Sequence, residues 1–88
     1  MIERKLIIKN KMGLHARPAA LFVETASKYD ADVTISKDGL EVNGKSIMGV
    51  MMLAAEKGSE IVLKAHGKDE DGVMQALTDL LEGKFDEE

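Results

Sequence analysis

The chain has 88 residues, of which 44% are hydrophobic and 32% charged, a net charge of −4 and no cysteine. Those figures allow a single domain over residues 1–88 with one core, and they exclude intrinsic disorder, disulfide stapling and thiol chemistry. Acidic charge and only three aromatics, Phe22, Tyr29 and Phe85, argue against nucleic acid as a ligand, because neither the phosphate backbone nor the bases would find a partner.

The opening Met1-Ile2-Glu3-Arg4-Lys5 mixes charges, unlike a signal peptide. No later run is apolar for long enough to span a bilayer, so no membrane insertion is expected. With cysteine absent, a cytoplasmic location is expected. Residues 2–9 alternate, with Arg4, Leu6 and Ile8 on one parity and Glu3, Lys5, Ile7 and Lys9 on the other, which predicts a first strand. Gly13 breaks it. A helix is predicted from Ala16 to Lys28, with Ala16, Ala19, Ala20, Val23 and Ala26 as a small-residue face. Pro18 fits this helix only in its first turn, where its missing N–H has no partner to lose, so His15 becomes the N-cap.

Val33 and Ile35 alternate with polar neighbours in a second strand. Lys37-Asp38-Gly39 predicts a hairpin turn and Leu40 to Val42 a third strand. Ser46 then caps a short apolar helix, predicted over Ile47 to Ala55. Ile61, Leu63 and Ala65 mark a fourth strand, ended by Gly67. Val73, Ala76, Leu77, Leu80 and Leu81 mark a last helix, with Asp69 or Asp71 at its start and Gly83 at its end. The tail Asp86-Glu87-Glu88 is expected to fray. The order βαββαβα with half-polar strands predicts an α+β domain, an antiparallel sheet covered by helices on one side.

Chemistry concentrates in Gly13-Leu14-His15-Ala16-Arg17-Pro18-Ala19. A helix N-terminus presents unpaired N–H groups and the positive end of the dipole, so it attracts anions. That same positive end disfavours imidazolium and leaves a neutral nitrogen on His15 free to attack phosphorus. The N–H groups and Arg17 can then hold the charge of an attached phosphoryl group. Residue types alone favour an exposed loop histidine beside an ordinary arginine. A metal site lacks ligands, since His66 is distant in sequence and there is no cysteine. No serine sits in a nucleophile-elbow pattern, so no hydrolase triad is read. Asp69-Glu70-Asp71 is helix-capping charge without calcium-loop spacing, and His66 is an ordinary strand-end residue.

The run GLHARPAA, followed about thirty residues later by NGKSIMGVMMLAA, resembles the histidine-containing phosphocarrier (HPr) family of the bacterial phosphoenolpyruvate:sugar phosphotransferase system. The resemblance spans nearly the whole chain. It implies an open-faced β-sandwich, a four-stranded antiparallel sheet with three helices on one face. It implies that His15 accepts a phosphoryl group at Nδ1 from phosphorylated enzyme I and passes it to enzyme IIA domains, with Arg17 assisting. The chain would thus be a phosphoryl-carrying substrate of enzyme I rather than an enzyme, acting as a monomer without cofactor or metal. It also implies possible regulation at Ser46 by an HPr kinase/phosphorylase. Leu14, Ile47, Met48 and Met51 are expected to form the partner-binding patch, with Val50, Leu53 and Ala54 facing the core. As plain sequence, the same methionines fit a core-filling role, and Ser46 fits a simple N-cap.

Met12 departs from the small polar residue many members carry there. NKMGLHARPAA and GKFDEE are similar to the nitrogen-related paralogue (NPr), which leaves a nitrogen-branch regulatory carrier as the alternative pathway. His15 excludes the catabolite-repression relative that lacks the active histidine. An adaptor that docks through the methionines and never carries phosphate is the reading from another class.

Overall fold

The computed structural model describes residues 1–83 and 85. Alternation builds the sheet as predicted: β1 (Ile2–Ile7), β2 (Asp32–Lys37), β3 (Leu40–Asn43) and β4 (Glu60–His66). Their order is β1-β4-β2-β3, and every neighbouring pair is antiparallel. Register puts Ile2 opposite Ala65, Leu6 opposite Ile61, Val33 opposite Ala65, and Ile35 between Leu63 and Val42. One face of the sheet is therefore apolar, and the other carries Glu3, Lys5, Lys64, Thr34 and Glu41. The β2–β3 turn uses Asp38 and Gly39, both at positive φ (52° and 86°), which matches the twist of a two-residue hairpin.

Three helices, α1 (Ala16–Ser27), α2 (Ile47–Met52) and α3 (Glu70–Glu82), cover the apolar face. The element order and the open-faced sandwich agree with the sequence reading. The core runs from Ile35, Ile61 and Leu63 on the sheet to Phe22, Val50, Val73 and Leu77 on the helices. Arg4 lies on the covered face, where its Nη1 donates to Thr78 Oγ1 on α3 at 2.9 Å, so its charge is not left without a partner there. At the start of α3, Glu70 Oε1 accepts from the Gly67 N–H at 2.9 Å, and Asp69 Oδ2 accepts from the Asp30 N–H at 2.7 Å. The predicted frayed tail, residues 86–88, lies outside the described residues.

Three sequence-based expectations change. On α1 the buried positions are Pro18, Ala19, Phe22 and Ala26, whereas Ala16 and Ala20 are exposed. Phe22 has the most apolar area to hide, and it rotates the buried stripe toward itself. On α3, Met74 is buried beside Val73, while Ala76 and Leu80 are only half-buried. The third change concerns α2. It stops at Met52, Ala54 turns left-handed at φ 50°, and Ala55 takes the buried place expected of Ala54. Apolar periodicity continues through this point, but the backbone must turn there to meet the loop before α1.

Candidate functional site

His15 is the N-cap of α1, with extended backbone (φ −76°, ψ −173°) and an exposed side chain that makes no capping hydrogen bond. Its carbonyl accepts the first intrahelical bond, from the Ala19 N–H at 2.8 Å. Within the helix the amides of Ala16 and Arg17 precede that bond and have no carbonyl to meet, and Pro18 has no N–H to offer. The proline thus leaves two donors at the helix tip, both next to the imidazole. No side chain of the first turn is acidic. Arg17 is exposed on that same turn, so imidazole, two amides and a guanidinium share one helix end.

A second segment holds this end in place. Gly13 has φ 65°, and a Cβ there would fall 2.4 Å from the Ala55 carbonyl oxygen and 2.9 Å from Glu56 Cα. Only glycine fits so close a crossing of two backbones. The neighbouring Leu14 N–H donates to that Ala55 oxygen at 2.8 Å, and Asn10, fully buried, donates from Nδ2 to the Gly13 carbonyl at 2.8 Å. The residues after α2 therefore wall the phosphoryl-acceptor candidate. His15, Leu14, Met51, Ala54, Ala55 and Glu56 line a cavity of about 180 Å³.

Leu14 needs a correction. Only 2% of it is exposed, so it belongs to the core and forms the floor under His15 rather than a partner-facing surface. Ile47, Met48 and Met51 are exposed as expected, Met48 at 74% and Met51 at 41%. Met52 and Met12 are exposed too, and enlarge the apolar surface. Ser46 caps α2, with its Oγ accepting from the Gly49 N–H at 3.1 Å. His66 ends β4, exposed, with Nδ1 4.0 Å from Glu70 Oε1. The part played by Ala54, Ala55 and Glu56 had no sequence signal, because it depends on a crossing of segments forty residues apart. Among the described residues no group of three or more His, Cys, Asp or Glu side chains could hold a metal ion, and no helix is long and apolar enough to cross a membrane.

A family model described as the PTS HPr component phosphorylation site matches residues 2–83. The chain belongs to the HPr family. A phosphocarrier protein HPr of Xylella fastidiosa (strain 9a5c) is 51% identical over 88 residues, covering 100% of this chain and 99% of that protein. The crystal structure of HPr-C-His from Thermoanaerobacter tengcongensis, 53% identical, superposes with a TM-score of 0.97 over 100% of this chain and 99% of that one. A crystal structure of an HPr dimer from the same organism, also 53% identical, gives a TM-score of 0.78 over 97% and 98%. That relative was crystallised as a dimer, in partial conflict with the monomer expected of this chain, and its chain departs further from the present fold.

Proposed function

We propose that this chain carries a phosphoryl group on His15, taken from phosphorylated enzyme I and given to enzyme IIA domains, with residues 1–88 acting as one cytoplasmic carrier domain. The observation that carries the reading is the α1 tip: an exposed imidazole at the N-cap of a twelve-residue helix, beside two amides that have no intrahelical acceptor. With the proton on Nε2, the Nδ1 lone pair attacks phosphorus. The P–N bond to His15 forms as the bond from phosphorus to enzyme I breaks, and the reverse exchange delivers the group onward. The Ala16 and Arg17 amides and the Arg17 guanidinium hold the charge on the phosphoryl oxygens in transit.

Ile47, Met48, Met51 and Met52 are exposed on α2, Met51 also lines the cavity beside His15, and this patch serves as the surface on which the partners sit. A phosphoryl group on Ser46, placed by an HPr kinase/phosphorylase, would regulate that surface.

The experiment is incubation with enzyme I and labelled phosphoenolpyruvate. Acid-labile, base-stable label is expected on the wild-type chain and none on His15→Ala, which remains folded because His15 contributes no side-chain cap bond. Label on the mutant at the wild-type rate, or label moved to His66, would defeat the carrier reading. Folded wild-type protein that takes no label while still binding a partner through the methionines would establish the adaptor instead.

A further inference from the structure

Methionine is the one sulfur-bearing residue of this chain, and its six copies are unevenly placed. Met74 is buried in the core at 2% exposure, and Met1 is exposed at the far edge of the open sheet face, where it borders a cavity with Asp32, Thr34 and His66. The other four, Met12, Met48, Met51 and Met52, are all exposed, and all lie in the two segments that surround His15. Met48, Met51 and Met52 stand at helical i, i+3 and i+4 positions on the outer face of α2, and Met51 shares the cavity wall with His15. Leucine would supply the same apolar area and resist oxidation, so a surface built three times from methionine on one short helix carries a chemistry that packing does not require.

We propose that Met48, Met51 and Met52 form a reversible oxidation site that slows phosphoryl transfer when peroxide is present. The inference rests on the carrier reading above. In the reaction the thioether sulfur attacks one oxygen of hydrogen peroxide. An S–O bond forms, the O–O bond breaks, the sulfur loses two electrons, and the second oxygen leaves as hydroxide, which takes the proton from the sulfur-bound oxygen and departs as water. Each event replaces an apolar sulfur by a polar sulfoxide whose oxygen is a strong acceptor. On Met48 and Met52 that oxygen must be stripped of water whenever a partner covers the patch. On Met51 it points negative charge density into the cavity where the phosphoryl group arrives. The domain itself survives, because the core methionine is protected and the oxidised side chains are at the surface.

The test uses the intact protein. It is treated with hydrogen peroxide, the excess is destroyed with catalase, sulfoxide is mapped by peptide mass spectrometry, and phosphorylation by untreated enzyme I is timed. Sulfoxide is expected at Met48, Met51 and Met52 before Met74, with an unchanged thermal melt. Transfer should slow about tenfold, the size expected when an unpartnered polar group is carried into an apolar contact. Methionine sulfoxide reductases should restore the rate. The triple variant Met48→Leu, Met51→Leu, Met52→Leu replaces part of the docking surface, so it is read against its own untreated rate, and the ratio of treated to untreated transfer should be near one. Should that variant fail to dock, Met51→Leu alone, again measured against its own untreated rate, should lose part of the peroxide effect. Oxidised wild type that transfers at full rate would overturn the proposal, as would a peroxide effect of full size in both variants. Untreated, folded protein that never labels on His15 would overturn the carrier reading and, with it, this one; full labelling that peroxide leaves unchanged overturns this one alone.

Discussion

Gly13→Ala should cost about 3 kcal/mol of stability, and should damage phosphoryl transfer out of proportion to that loss. The cost has three parts. Holding an alanine at φ 65° costs about 1 kcal/mol for an L-residue in the left-handed region. The new Cβ would lie 2.4 Å from the Ala55 carbonyl oxygen and 2.9 Å from Glu56 Cα. Both are backbone atoms that cannot swing aside as a side-chain end would, so the loops must separate. Separation then lengthens the 2.8 Å bond from the Leu14 N–H to Ala55, worth about 1 kcal/mol, and disturbs the packing of Leu14 by about as much again. For a domain of this size 3 kcal/mol lowers the thermal midpoint by very roughly 15 °C. Gly39→Ala is the control: its φ is 86°, but nothing lies within 4 Å of the added Cβ, so it should lose only the conformational part, about 1 kcal/mol. Paired denaturant melts give the difference, and timed phosphorylation by enzyme I at a temperature where both variants are folded gives the functional part. If Gly13→Ala melts with Gly39→Ala and transfers like wild type, the two loops are not in fact clamped, and the account of how His15 is positioned is wrong.

Arg17→Glu should slow transfer to and from His15 strongly while leaving the melt nearly unchanged, since the side chain is exposed; normal single-turnover rates would assign the whole load to the amides. Ser46→Asp and Met48→Asp should both stay folded and both be phosphorylated more slowly by enzyme I, whereas Ser46→Ala, which loses the 3.1 Å cap bond, should cost about 1 kcal/mol and transfer normally. Wild-type rates in both aspartate variants would move the docking surface elsewhere. The Gly67 N–H bond, followed by the N-terminal ammonium, holds the Glu70 carboxyl below its ordinary value. A carboxyl lowered on folding supports stability above its unfolded pKa and loses that support as pH falls through its folded one. Wild type should therefore lose more stability than Glu70→Gln between neutral and acidic pH, and superimposable pH–stability curves would show that this bond does not matter.

Much of the fold was legible because its signals are local. Val33/Ile35 and Ile61/Leu63/Ala65 alternate, Asp38-Gly39 sits where a tight hairpin requires two positive-φ residues, and Pro18 fixes the start of α1 to within one turn. The position of His15 and Arg17 at the tip of α1 is legible for the same reason. What failed depended on tertiary docking. Nothing in GLHARP says that Leu14 lies beneath its neighbours, because that follows from the crossing with Ala55. The apolar run through Ala55 reads as unbroken helix, since alanine favours helix and its left-handed turn at Ala54 is imposed from outside. The predicted stripes pass over Phe22 and Met74, which are buried, because helical spacing alone does not rank one stripe against its neighbour.

The strand order carries a consequence for how the chain is made. β4 is the last strand in sequence, yet it lies between β1 and β2, pairing Ile2 with Ala65 on one edge and Val33 with Ala65 on the other. During synthesis β1 therefore has no neighbour to pair with until residues 60–66 appear, and at about 5–20 residues per second that wait lasts about 3–10 s. Before then only the β2–β3 hairpin can close, and a lone hairpin is marginal in water. The sheet must form late and almost at once, through contacts between opposite ends of the chain, which places this small protein among the slower folders of its length. A ribosome stalled before residue 60 would hold a chain whose first strand offers an open edge to any neighbour, including the same strand of another nascent copy.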